Sequence, residues 1–556
     1  MKIQQILPQQ LNKEIQQKEN IRFTGASDIV SSGLRFLDTN QAWGANAVDL
    51  CSMVIPRTTV DFINRGPEAG TETARRESAG TINHSLVGVY GTGAGLALAA
   101  LFNNKYGIRA DKIFADNNTI DILAKYWHEA RQTGTDNKAV VKAYTDKLAA
   151  NIKFFNTDLD KESGLIAMSE DTQKEFSSKM SDMLINKNDK AKFKEFSKFM
   201  HNLMTSDTGA ESRVVLEGFE RKADNTSKTL IANIYNVSKT FLEGKVDDAF
   251  KNSKMVDTNE YINGLKKLNL QRSALGLGVA AGIGMSIQPL NMYLTKKKTG
   301  QDGFVGVPGR EKDKTKEFKI MKSIAAVVFS AGALATITTN PKKFLSKIQF
   351  QGMSPTINQL KFVYGMTIAS RLLAARDKDE LRESAVKDSL GFLNLLILGS
   401  LVTKGTARLM DKSLINVTKK GAKNFFSWLG NSSLKTRDEV LYEALKKKGI
   451  QTVKDGKALP FKELIKSADD ATKSKLRALN ISQIVGYLYS GLVLGVGIPK
   501  LNIYMTNKSE AKRQAKLAAE GKNLIEEPIE QQKASAGNNI SDMLHPENLA
   551  FLSKNM

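Results

Sequence analysis

The chain has 556 residues, a formal net charge of +23 and one cysteine, Cys51. A single cysteine excludes an intramolecular disulfide, and the four scattered histidines, His84, His128, His201 and His545, lack metal-ligand spacing, so no metal or other cofactor is expected. Basic residues exceed acidic ones by 44 to 24 over residues 273–556 but only by 37 to 34 over 1–272; bases that flank apolar runs, with few aromatic platforms, point to an anionic lipid surface rather than to nucleic acid.

In chain order, residues 1–84 form a polar N-terminal region with short helices. Its Gln-rich start has neither an apolar core nor a small-residue cleavage site, so a cleaved signal peptide is not expected. Glu68, Glu72, Arg75, Arg76 and Glu77 form a charged stretch in which Glu72 and Arg76 have the i,i+4 spacing of a solvated helix face. Cys51, beside Met53 and Val54, is expected to be a small buried residue. Residues 85–102 then form a first apolar helix without a charge, with Gly88, Gly91 and Gly95 on one face for close packing.

Residues 103–272 have balanced charge and helical apolar stripes, Phe193, Phe196, Met200 and Leu203, then Leu230, Ile234, Val237 and Phe241. This region is predicted to be a soluble helical domain. Asn117 to Thr119 are expected to cap one of its helices, and Thr172 with Glu175 to form a capping box on another.

Residues 273–405 are predicted to form a bundle of Gly/Ala-rich apolar helices with basic loops. The uncharged stretches are Ala274 to Leu294, Ile324 to Thr338 and Ser389 to Thr403, while Ile357 to Ala375 contains Lys361 and Arg371 and is read as amphipathic. Spanning a bilayer takes about 20 residues, so the first of these is long enough and the others are short. The segment from Lys296 to Lys322 is expected to be an exposed loop around the turn cluster Gly303 to Gly309. Residues 406–480 form a basic helical region whose Phe425, Phe426 and Trp428 suit a headgroup interface. Residues 481–505 form the last apolar helix, and 506–556 a charged tail that frays into disorder.

One segment recurs. Residues 268–297 align without gaps to 479–508 with ten identities in thirty positions. Both copies carry a proline followed by Leu-Asn-x-Tyr-x-Thr and a lysine: Pro289, Asn291, Tyr293, Thr295 and Lys297 in the first, Pro499, Asn502, Tyr504, Thr506 and Lys508 in the second. As a helix-exit device, the proline would end the helix while Tyr and Lys sit at the headgroup boundary. As a shared site, Asn291, Thr295, Asn502 and Thr506 would line one polar cavity near mid-depth between two related halves, as in transporters.

Chemical motifs are sparse. There is no G-x-x-x-x-G-K-[ST] loop, His128-Glu129 is not followed by the second histidine of a zinc-protease motif, and no G-x-S-x-G elbow occurs. The IRFTG of Ile21 to Gly25, in a polar leader ahead of Gly-rich apolar helices, resembles uncharacterised multi-pass proteins from uncultured gut relatives of cyanobacteria; the resemblance implies no function and no site residues. The expected protein is therefore all-α, non-enzymatic and embedded in or spanning a membrane, scaffolding or organising anionic lipid, with self-association or a protein partner. The alternatives are a transporter using the two repeated segments, a membrane-permeabilising effector, and a soluble nucleic-acid binder.

Overall fold

The computed structural model describes residues 30–35, 46, 48–155, 165–186, 189–206, 213–218, 222–352, 355–417, 428, 432–450, 453–454, 457–458 and 461–519. The described residues are predominantly helical, which fits the all-α expectation. The IRFTG leader, Phe425, Phe426 and residues 520–556 lie outside the described residues.

A π-helical turn, Leu50–Val54, leads into helix α1 (Ile55–Arg65). Gly66, at φ 86°, lets the chain reverse, and Pro67 opens α2 (Pro67–Ser85), where its missing N–H costs no helical hydrogen bond. Helix α3 (Val87–Tyr106) follows after a 50° bend at Leu86, so the apolar stretch read as one helix from residue 85 is the second part of a broken pair. It ends at Gly107, in the left-handed conformation.

The first domain is inserted here. Helices α4 (Asn117–Thr133), α5 (Asn137–Asn151), α6 (Glu170–Ile185), α7 (Lys190–Ser206), α8 (Ser227–Ser238) and α9 (Gly244–Lys251) surround a core in which Leu230, Ile234, Val237 and Phe241 are fully enclosed. Phe196 and Met200 are buried as expected, but Phe193 is exposed. A four-stranded antiparallel sheet, in the order β2-β1-β3-β4, adds Ile152–Phe155 (β1), Leu165–Ala167 (β2), Arg213–Glu217 (β3) and Lys222–Thr226 (β4), which the helical stripes did not announce. The caps sit ahead of their expected places: Asp116, just before Asn117 to Thr119, accepts from Thr119 N, and Ser169, a full turn before the expected Thr172, accepts from Thr172 N.

Helix α10 (Glu260–Thr299) starts in that core and continues unbroken for 40 residues through Pro289. The bundle continues with α11 (Lys316–Ala335), α12 (Ile357–Ala374), α13 (Lys378–Leu393), a π-helical segment at Asn394–Leu398 and α14 (Gly399–Met410). A second, smaller insertion has its own core, built around Leu441, Leu445 and Leu464 on α15 (Arg437–Lys447) and α16 (Phe461–Ser467), with the short hairpins β5–β6 (Ile415–Val417, Ser432–Leu434) and β7–β8 (Val453–Lys454, Lys457–Ala458). Trp428 packs, partly buried, against this core with Arg408 5.3 Å from its ring. The last rod is α17 (Asp470–Tyr489), a π-helical segment at Ser490–Gly497 and α18 (Ile498–Ala519).

Candidate functional site: a polar core inside an apolar belt

The bundle encloses ion pairs beside two apolar cores, and it exposes apolar faces. Leu275, Val279 and Ile283 on α10, Ile324, Val327 and Val328 on α11, and Ile484, Leu488 and Leu492 along the last rod all face outward. Helix α11 keeps only 17% of its apolar window covered. The rods containing α10, α11 and α17–α18 are long and apolar enough to cross a membrane, and α2 with α3 would make a fourth, broken span.

The interior holds the charges instead. Glu77 on α2 lies 3.6 Å from Arg57, 3.1 Å from Arg371 and 3.2 Å from Lys387, and Arg371 also binds Asp388 at 2.9 Å. Arg65 clamps Glu383 through both guanidinium nitrogens, at 2.5 and 2.9 Å, and Arg376 reaches Glu72 at 2.5 Å and Glu380 at 2.8 Å. Glu72, Arg76 and Glu77 are therefore buried, a correction to the solvated face expected from the i,i+4 spacing. Glu72 turns to Arg376, far away in sequence, because α2 is enclosed on that side by α1, α10 and α13.

The turn cluster from Gly303 to Gly309 is not an exposed loop either. Phe304, Val305 and Val307 are buried, and the Phe304 ring lies 5.1 Å from Arg65 and 5.9 Å from Arg376. It stoppers the charged core at that end with two cation–π contacts. Beneath it is a void of about 30 Å³, lined by Arg65, Glu72, Glu383 and Asn502, with room for a water and little else.

The recurring segments divide their residues by face. Asn291, Thr295, Asn502 and Thr506 are buried, whereas Tyr293 and Tyr504 are 61% and 62% exposed and Lys297 and Lys508 point outward. Neither proline ends its helix: Pro289 is inside α10, and Pro499, at the start of α18, follows a π-helical segment that continues the same rod. Asn291 donates to the Glu72 carbonyl at 2.9 Å, and Asn502 to the Glu383 carbonyl at 3.2 Å. Arg75 reaches Asn291 and Thr295, and Arg382 reaches Thr506. Each pair of polar residues thus packs beside one of the crossed pairs, Asn291 and Thr295 near Glu72 and Asn502 and Thr506 at Glu383, but the four do not line one cavity, and the tyrosines and lysines face away.

A second match, missed from the sequence, explains this pairing. Residues 65–92 align without gaps to 376–403 with Arg65/Arg376, Glu72/Glu383, Ala74/Ala385, Ser78/Ser389, Gly80/Gly391, Asn83/Asn394, Gly88/Gly399 and Thr92/Thr403 identical. The matched residues make matched contacts. Arg65 pairs with Glu383 and Arg376 with Glu72; Thr92 and Thr403 each donate 2.9 Å to the carbonyl of Gly88 or Gly399. Gly284 lies against Thr367 of α12, where a methyl group would be 2.7 Å from Oγ1, and Gly495 lies against Pro56 of α1, at 2.8 Å. Asn269 ties α10 to Asn117 of the first insertion, and Asn480 ties α17 to Arg437 of the second.

Beside the charged core is a cavity of about 600 Å³, within the range of small-molecule sites. Its inner wall carries Asp49, His84 and Tyr364, its outer wall Thr403, Gln483 and Tyr487, and its rim Lys435 and Thr436 of the second insertion. Each of the three π-helical segments contributes to it, through Met53, Asn394 and Ser490. Such wide turns displace backbone carbonyls from helical pairing and are frequent at functional sites. His84 Nε2 and Asn394 Oδ1 are enclosed without a hydrogen-bond partner.

No family model, curated protein or solved structure matches this chain. Among the described residues no cluster of His, Cys, Asp and Glu could hold a metal ion. Cys51 is exposed, contrary to expectation, because its position on the π-helical turn faces away from Met53 and Val54.

Proposed function

We propose that the protein is a multi-pass membrane carrier for a small solute, built from two copies of one helical unit with a polar site between them. The observation that carries this reading is a set of enclosed ion pairs, Arg57, Glu77, Arg371, Asp388 and the crossed Arg–Glu pairs, among helices whose outward faces are apolar. Ionisable groups inside a membrane-spanning bundle are costly and mark solute or ion pathways. An anionic-membrane scaffold would need the basic exterior but gives no reason for this interior.

In each copy one helix ends and the next begins at Arg65–Pro67 or Arg376–Lys378, beside Phe304. The third helix ends where an insertion begins, and the fourth runs back, roughly 60 Å for the 40 residues of α10. Both insertions then leave from one face, in keeping with the approach of α7 to β8, and the copies are parallel repeats about an axis along the membrane normal. The cavity opens beside the second insertion, while the crossed pairs and Phe304 close the opposite end. Alternating access would require those pairs to part.

Site-directed labelling of the full chain in proteoliposomes tests this. In a Cys51→Ser background, Ser400→Cys at the cavity is expected to react with a water-soluble maleimide added on the insertion face. Ala69→Cys, under the Phe304 stopper, is expected to stay protected until Phe304→Ala opens it. Equal reactivity of the two positions from either face would overturn the carrier reading.

A further inference from the structure

The cavity has a counterpart in the first half, and that counterpart is filled. Helices α3 and α10 approach at Gly91 and Gly276, where an added methyl group on either would meet the Phe350 ring. Phe350 is fully enclosed against Val87, Leu277 and Val363, and its backbone N–H is held by Ser273 Oγ at 3.2 Å. The match that pairs Thr92 with Thr403 pairs Gly91 with Val402, and the match that pairs Leu277 with Leu488 pairs Gly276 with Tyr487. Thr403, next to Val402, and Tyr487 place the same level of the second half at the cavity wall, with Gly399 and Gly486 beside them, and among the described residues no phenylalanine lines that space.

The walls of this space suit a flat occupant. The His84 ring stands edge-on to Tyr364, 5.1 Å between centroids, and Tyr487 closes the other side. Aromatic walls favour a ring through stacked and edge-to-face contacts. The polar requirement comes from Asn394. Its amide nitrogen donates to Ser490 Oγ at 3.1 Å, which fixes the amide orientation and leaves Oδ1 as a buried acceptor with no donor. A buried acceptor left unpaired is unfavourable, and a ligand N–H would satisfy it. His84 Nε2, also unpartnered, belongs to a second residue that lines the cavity and offers another polar contact.

We propose that the cavity binds a small planar ring bearing an N–H donor, seated against α14 and α17 as Phe350 is seated against α3 and α10, with the N–H directed to Asn394 Oδ1. The proposal rests on the assignment of this cavity as the carrier's binding site. The two fail separately, because membrane insertion and one-sided cysteine labelling need no ligand.

The test uses the full-length protein in detergent micelles and two isosteric probes: indole, which carries an N–H, and benzofuran, which has an ether oxygen instead. Equilibrium dialysis is expected to show saturable binding of indole at one site and binding of benzofuran weaker by about tenfold, as befits the loss of one hydrogen bond to a buried acceptor. Asn394→Ala should bring indole down to the level of benzofuran. Thr403→Phe, which puts a ring into the space itself, should remove both, and Ser400→Phe should do the same from the rim. Thermal melting of each variant shows whether the fold is retained. Equal affinity for the two probes, indole binding that survives both Phe substitutions, or no saturable binding of indole would overturn the proposal.

Discussion

The crossed pairs make a prediction in which stability and function separate. Glu383 receives two Arg65 nitrogens at 2.5 and 2.9 Å and also accepts from Thr506, while Asp61 lies 3.5 Å from Arg65. Neutralising the carboxylate with Glu383→Gln leaves an enclosed guanidinium with only Asp61 in reach, and removal of one partner of a buried pair costs about 3–5 kcal/mol. Glu72→Gln should cost a similar amount, because Arg376 holds Glu72 at the same 2.5 Å, although Glu380 remains to compensate and places it at the lower end. The double replacement Arg65→Met with Glu383→Met removes both charges of the pair together and should lose less than Glu383→Gln alone, although Asp61 then keeps only its bond from Thr73. Chemical denaturation in mixed micelles measures all three. The double variant should nevertheless expose Ala69→Cys to maleimide, since the clamp would be gone. If Glu383→Gln lost less than about 1 kcal/mol, or the Met pair proved as damaging as the single change, the crossed pairs would not be holding the bundle closed.

Other consequences follow from single contacts. Gly276 approaches Gly91 so closely that a methyl group would lie 2.9 Å from the Gly91 Cα, so Gly276→Ala should destabilise by about 1–3 kcal/mol in thermal melts, and a neutral result would contradict the backbone packing of α3 on α10. Residues 103–272 contain most of one core and should fold alone as a soluble, mainly helical domain; a strand-dominated circular dichroism spectrum would refute that. The Asp469 carboxyl is held well below the usual carboxylate range by hydrogen bonds from Lys448, at 2.6 Å, and from Thr472. A depressed carboxylate stabilises above its unfolded pKa of about 3.9, and that contribution is lost as pH falls through the folded value. Protection of α17's first turn against hydrogen exchange should therefore weaken on acidification below about pH 4, and Asp469→Asn should remove the dependence; an identical acid profile in the variant would refute the cap.

The outer surface of this fold was more legible than its interior. Uncharged runs rich in glycine marked α3, α10 and the last rod, because a long stretch without charge is visible locally wherever its packing partners lie. The recurrence of Asn291, Tyr293 and Thr295 as Asn502, Tyr504 and Thr506 was visible for the same reason, being compact and attached to an apolar run. The charged core was misread because local spacing supplied a sufficient explanation: Glu72 and Arg76 stand four apart on a helix, whereas the true partner, Arg376, is separated by 304 residues. The signal that could have corrected this is the match of Arg65 and Glu72 to Arg376 and Glu383, identities spread thinly over a polar helix and overlooked beside the denser apolar match. The burial of Phe304 and the π-helical segments around the cavity had no local signature, since both arise from how distant helices meet.

The most direct measurement of the central claim is alkaline carbonate extraction of membranes that contain the full-length protein. A bundle with its charges inside and its apolar faces against lipid remains in the pellet after carbonate and is released only by detergent. Release of the protein into the carbonate supernatant would mean that the outward faces of α10, α11 and the last rod are covered by something other than a bilayer, and the carrier account would be wrong.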